Sequence, residues 1–233
     1  MIPLHDDVPT RRFATVTLAI ILVNVAVFAF QLSLPRWGLT LDGWYYLAGA
    51  RPYELTHQMD LPPFGFVPWW ATLFSSLFVH GGWLHLIFNM LYLWIFGNNV
   101  EDAMSRPRFV AFYLICGMVA TTTQVLVAPL SEVPLIGASG AIAGVLGAYI
   151  VLFPRARVIS VVPPGFFFPV FEVPAWVLLG IWFALQTVEG LLSLRDPAVG
   201  VAFFAHVGGF VAGMGLVYLF VRRRPARRAR RRA

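Results

Sequence analysis

Six stretches of the chain are almost purely apolar: 13–34, 82–100, 108–128, 139–153, 174–193 and 201–221. Apolar runs of about 20 residues predict membrane-spanning helices, because at 1.5 Å per residue they cross a hydrocarbon layer of about 30 Å. Five of the runs reach that length, whereas 139–153 is short for a span. The first run is too long for a signal peptide and lacks a small-residue cleavage site, so it reads as a retained helix. The pattern predicts an all-α membrane protein, a six-transmembrane-helix bundle over 13–221. A cytoplasmic segment, 1–12, precedes it and an arginine-rich tail, 222–233, follows it.

The connections differ in character. The segment 35–81 contains "RWGLTLDGWYYL" and "LPPFGFVPWWATLFSSLFVH", rich in aromatic residues and proline but poor in charge. It is expected to lie in the outer interface as a long membrane-associated loop, partly helical, with Trp69 and Trp70 at headgroup level. The proline-broken stretch 154–173 is expected on the inside, and no internal repeat or separate domain is visible.

Composition agrees with this layout. Of 233 residues, 59% are hydrophobic and 12% charged, at a mean hydropathy of +0.75, which is too apolar for a soluble domain of this size. The single cysteine, Cys116, excludes an internal disulfide framework. All 17 basic residues are arginine, which excludes a Schiff-base lysine or a Ser-Lys dyad. With both termini cytoplasmic, 14 arginines fall inside and 3 (Arg36, Arg51 and Arg195) outside, so the positive-inside rule sets the orientation. Eight of the 14 crowd into "RRRPARRARRRA", directly after an apolar run. That placement favours an anchor on anionic lipid over nucleic-acid binding, and no nucleic acid is expected as a partner.

Polar residues inside spans are costly and face the bundle interior. Three runs carry them, in "HGGWLHLIFNM", "GASGAIAG" and "AHVGGFVAG". Counting back from the first cytoplasmic charge gives 16 residues for His85, for Ser139 and for His206. All three therefore lie roughly 24 Å from the inner boundary, in one plane somewhat below the outer surface. Gly140 with Gly144, and Gly209 with Gly213, form GxxxG faces that make the fourth and sixth spans natural neighbours.

Alone, Ser139 reads as a helix contact and His206 as an interior histidine. Together they form a nucleophile and a base. His85 and Asn89, at i and i+4, present donors from one helix face, and the Ser139 N–H at a helix start has no intrahelical partner. No carboxylate shares that depth to orient His206, so the arrangement is a dyad. His80 and His85 lack a carboxylate or thiol at ligand spacing, so no metal is expected.

These motifs, in this order over residues 13–221, resemble the rhomboid family of intramembrane serine proteases. The resemblance implies that Ser139 is the nucleophile and His206 its general base, with His85, Asn89 and the Ser139 amide as the oxyanion hole. It further implies His80 near the water entrance, Glu101 in "GNNVED" as a structural acidic residue at the inner end of the second span, and Gly137 beside the nucleophile. Implied substrates are single-span transmembrane proteins, and no metal or cofactor is implied. The multi-pass protein is expected in a prokaryotic plasma membrane. The chain lacks the Trp-Arg pair that many members carry before the residue matching His80. Two alternatives stand beside this reading. One is an inactive relative that only binds membrane proteins. The other is a small transporter, for which Glu172 and Glu189, near the ends of the fifth run, are the candidate carboxylates.

Overall fold

The computed structural model describes residues 1–62, 67–161, 169–194 and 201–221. The arginine-rich tail, Arg195 and residues 162–168 of the 154–173 connection lie outside the described residues. Helix α1 (Thr15–Ser33) fills the first apolar run. The segment after it folds into three short helices, α2 (Leu41–Ala48), α3 (Pro52–His57) and α4 (Thr72–Ser75), with 3-10 turns at Leu34–Trp37 and Ser76–Phe78. Helices α5 (Trp83–Ala103), α6 (Arg106–Val127), α7 (Ser139–Leu152), α8 (Ala175–Ser193) and α9 (Phe203–Phe220) occupy the other five runs. Thr15–Trp37, α6, α8 and α9 are each long and apolar enough to cross a membrane. Thr72–Phe78 with α5 makes a fifth candidate, bent by 93°, and α7 is shorter.

The bundle inverts the amphipathicity of a water-soluble one. The buried positions of α1 are Thr17, Asn24, Phe28 and Gln31, three of them polar, while Leu22, Val23, Val25, Phe30 and Leu32 are exposed. Such a helix is stable where its outer face meets lipid and its polar stripe finds partners inside. Asn24 Nδ2 donates to Ile20 O at 2.8 Å, and Gln31 Nε2 donates to His80 O at 2.9 Å. At the other end Ala14, the N-cap, offers no side-chain acceptor. Glu101 supplies one from α5, accepting from Val16 N (3.0 Å), Thr17 N (2.7 Å) and Thr17 Oγ1 (2.8 Å). A carboxylate here satisfies orphan donors and faces the positive end of the helix dipole.

Helix α7 sits at the centre, with every residue from Gly140 to Tyr149 buried. Its neighbours approach to backbone contact. A Cβ on Gly209 would lie 2.1 Å from Gly140 O, one on Gly213 1.9 Å from Gly144 O, and one on Gly147 2.0 Å from Phe210 O. The α7 glycines of the expected α7–α9 face serve a second helix as well. A Cβ on Gly140 or Gly144 would first meet Ala120 or Cys116 of α6, at 2.6 and 2.4 Å. Small residues thus let three helices share one seam.

The expectation of an all-α protein needs correction. A three-stranded antiparallel sheet, β1 (Ile2–Asp6), β2 (Arg157–Val161) and β3 (Val170–Pro174), forms in the order β1-β2-β3. "RVISV" is β-branched at Val158, Ile159 and Val161 and buries Val158 and Ser160, and the neighbouring prolines flank it without interrupting it. Pro3 lies on an edge strand, where its missing N–H is tolerated, and the register shifts between Pro3 and His5. Asp6 fastens this sheet to the bundle, accepting from Asn99 Nδ2 of α5 and the Tyr149 hydroxyl of α7.

Candidate active site

Ser139 is the first residue of α7, after a turn that Gly137 makes at φ 116°. That turn is anchored on both sides. Gly137 N donates to Ser76 O at 2.8 Å, and Leu135 pairs with Ala50 through two backbone hydrogen bonds of 2.9 and 3.0 Å. Gly137 is also required by space, since a Cβ there would lie 2.6 Å from His85 Nε2 and 3.7 Å from Ser139 Oγ. His85 and Ser139 therefore flank one point.

His206 enters from the first turns of α9, whose Ala205 N–H is capped by Gln124 Oε1 of α6 at 3.3 Å. The backbone contact between α7 and α9 brings His206 Nε2 to 2.8 Å from Ser139 Oγ. On the other side of the ring, Nδ1 meets Gln186 Oε1 of α8.

The remaining polar groups come from α5 and the turn before it. His85 Nδ1 accepts from Gly81 N at 3.3 Å, which leaves its Nε2–H as a donor on the Ser139 side. Asn89, one turn on, is 7% exposed, and its Nδ2 is buried without a hydrogen-bond partner among the described residues. His80 is fully buried, its ring edge-on to His85 at 5.1 Å between centroids, and its Nδ1 donates to Phe78 O at 3.3 Å. Gln31 fixes the His80 backbone from both sides, accepting its N–H at 3.1 Å and donating to its carbonyl. Glu101 stands at the sheet end of the same helix, in the α1 cap and away from this cluster. A cavity of about 30 Å³ adjoins Ser139 between Ser76, Thr121, Ile136 and Ala205, enough to hold water. Among the described residues, no group of three or more His, Cys, Asp or Glu is placed to hold a metal ion.

Sequence reasoning overlooked Gln31, Gln124 and Gln186. All three lie inside apolar runs, and each contacts the backbone or ring of a site histidine or of its immediate neighbour. Their signal was available: a neutral amide within a span is itself costly unless paired.

Comparison with known proteins identifies the family. The rhomboid domain family matches residues 68–223. Rhomboid protein 1, mitochondrial, of Saccharomyces cerevisiae is 32% identical over 211 residues, covering 86% of this chain and 51% of the relative. Rhomboid protease GluP of Bacillus subtilis is 29% identical over 199 residues, 84% of this chain and 33% of the relative. Rhomboid protease AarA of Providencia stuartii is 26% identical over 220 residues, 88% of this chain and 73% of the relative. The chain thus spans about half the length of the first relative and a third of the second. It is an integral membrane protein, and it belongs to the rhomboid family.

Proposed function

We propose that this chain is an intramembrane serine endopeptidase that hydrolyses peptide bonds in transmembrane segments of single-span proteins through a Ser139–His206 dyad. The observation that carries the reading is the 2.8 Å contact between His206 Nε2 and Ser139 Oγ at the free N-terminus of a buried helix. Two of the relatives are rhomboid proteases by name.

In the proposed reaction, His206 Nε2 takes the Ser139 proton as Oγ attacks the carbonyl carbon of the scissile bond. The oxyanion that forms is met by the Ser139 N–H, His85 Nε2–H and Asn89 Nδ2. On collapse the C–N bond breaks, and His206 returns its proton to the leaving amine. Water then attacks the acyl-enzyme, losing its proton to His206, and releases the new carboxyl terminus with Ser139 restored. The unpartnered Nδ2 of Asn89 supports its place in this set, since a buried donor with nothing to bond is costly unless an acceptor arrives.

The proposal includes six spans with both termini cytoplasmic, in a prokaryotic plasma membrane. The arginine distribution supports that orientation, with the tail 222–233 against anionic headgroups.

The test compares wild type with Ser139→Ala in liposomes, using a single-span substrate and a gel readout. Cleavage that disappears in the folded variant is the expected result. Equal cleavage by both refutes the dyad. A substrate that co-purifies uncut with both points to a binding protein.

A further inference from the structure

The dyad accounts for one imidazole nitrogen of His206 and leaves the other open. Nδ1 lies 2.5 Å from Gln186 Oε1. One turn earlier on the same helix, Trp182 brings its ring to 5.9 Å from the His206 ring, centroid to centroid. Helix α8 thus presents two side chains to a single imidazole. Packing does not call for an amide there, since α8 buries only Ala175, Leu178, Leu179 and Gly190 and exposes Ile181, Leu185, Val188, Leu191 and Leu192. A glutamine in such a helix has no core to fill and a desolvation cost to meet.

The bond also decides a protonation state. An amide oxygen only accepts, so pairing with it puts the imidazole proton on Nδ1 and leaves the Nε2 lone pair directed at Ser139 Oγ–H. That is the tautomer general-base chemistry needs. With the opposite tautomer, Nε2 would donate to Ser139 and could not take its proton.

We infer that Gln186 is the positioning residue of His206, holding its ring and its Nδ1–H tautomer as the carboxylate does in a Ser-His-Asp triad. This rests on the dyad reading above. A neutral amide suits the location, because a carboxylate at this depth would need a charged partner to offset its desolvation. The exchange has a consequence for magnitude. An amide dipole stabilises the imidazolium formed during attack less than a full charge does, so its removal costs less than removing a triad aspartate.

The experiment uses the full-length protein in liposomes with the single-span substrate, comparing wild type, Gln186→Leu and Gln186→Glu. Gln186→Leu is expected to lower kcat about 10- to 100-fold, the loss seen when the partner that orients a metal-bound histidine is removed, with KM within about two-fold. Gln186→Glu is expected to regain most of that loss and to move the acidic limb of the kcat profile to higher pH, because a carboxylate at Nδ1 favours the protonated ring. A second measurement does not depend on proteolysis. In 15N-histidine-labelled Ser139→Ala protein, nitrogen shifts should show the His206 proton on Nδ1, and Gln186→Leu should spread it over both nitrogens.

Wild-type kcat in Gln186→Leu, or an unaltered His206 tautomer, overturns the assignment. So do Leu and Glu variants that are equally impaired with superimposable pH profiles, which would reveal a packing role only. If the wild type cleaves nothing, the protease reading falls, and the tautomer measurement still decides the role of Gln186.

Discussion

The seam between α7 and α9 supports a prediction whose size can be worked from distances. Gly209→Ala places a Cβ 2.1 Å from Gly140 O, where ordinary contact begins at 3.4 Å, so the two backbones must part by about 1.3 Å. The obstacle is a backbone carbonyl on a fully buried helix, which cannot rotate away as a side-chain tip would. Gly140 follows Ser139 directly and Gly209 lies three residues after His206, so the separation falls on the proposed dyad. Added to the 2.8 Å contact between His206 Nε2 and Ser139 Oγ, it carries the pair beyond hydrogen-bond range. A misplacement of that size costs roughly 100-fold in rate, and overpacking costs about 1–3 kcal/mol in stability. Gly215→Ala is the control, because nothing among the described residues lies within 4 Å of the added carbon. It should keep full activity and match or exceed wild-type stability, given the helix propensity of alanine. Cleavage of a single-span substrate in liposomes and thermal unfolding in detergent measure both quantities. If Gly209→Ala cleaves within two-fold of wild type and melts at the same temperature, the seam does not position the dyad.

Three further outcomes are expected. Asn89→Ala should lower kcat about 100-fold with KM little changed, a smaller loss than that of Ser139→Ala because other oxyanion donors remain; equal and total loss in folded protein would contradict that division. Glu101→Ala strands Val16 N, Thr17 N and Thr17 Oγ1, and should cost about 3 kcal/mol in reversible unfolding while cleavage per folded molecule is retained. Burial raises the Asp6 carboxyl above its ordinary 3.8, although the Tyr149 hydroxyl that donates to it acts the other way. The folded protein then binds this proton more tightly than the unfolded chain, so the stability it contributes is full at low pH and lost as pH rises from about 4 through the raised value. Wild type should therefore lose melting temperature relative to Asp6→Asn over that rise, and a gap that instead widens in favour of wild type would refute the sign.

The parts of this fold that were legible in the sequence are those in which one physical signal dominates. Each apolar run became a helix within a few residues of its expected ends, because a single apolar segment in lipid can satisfy its backbone N–H and C=O groups internally only as a helix. Equal spacing from the cytoplasmic charges put Ser139, His85 and His206 at one depth, and the structure brings Ser139 Oγ to His206 Nε2 and sets His85 beside Gly137. The sheet was hidden by the same reasoning. Five-residue strands leave little periodicity, and β1 finds its partner more than 150 residues away. The amides escaped for another reason. Gln31, Gln124 and Gln186 carry no charge and hardly interrupt an apolar run, yet an unpaired amide in lipid is costly enough that each had to have a partner. The segment 35–81, expected as an outer loop, is a mixed case. It is partly helical as expected, but Arg51, counted only as an outside charge, is buried and paired with Glu54, and it donates to the carbonyls of Leu61 and Pro62.

The sheet clamp imposes an order in time. Strand β1 leaves the ribosome before any of the partners described above exists. Asp6 waits for Asn99 and then Tyr149, and Asp7 binds Arg157, 150 residues downstream. At a synthesis rate of roughly 5–20 residues per second, the N-terminus stays unlatched for on the order of 10 s while helices enter the membrane. Its closure can come only after α7 is made, so a latched N-terminus marks a molecule whose central helix is already in place.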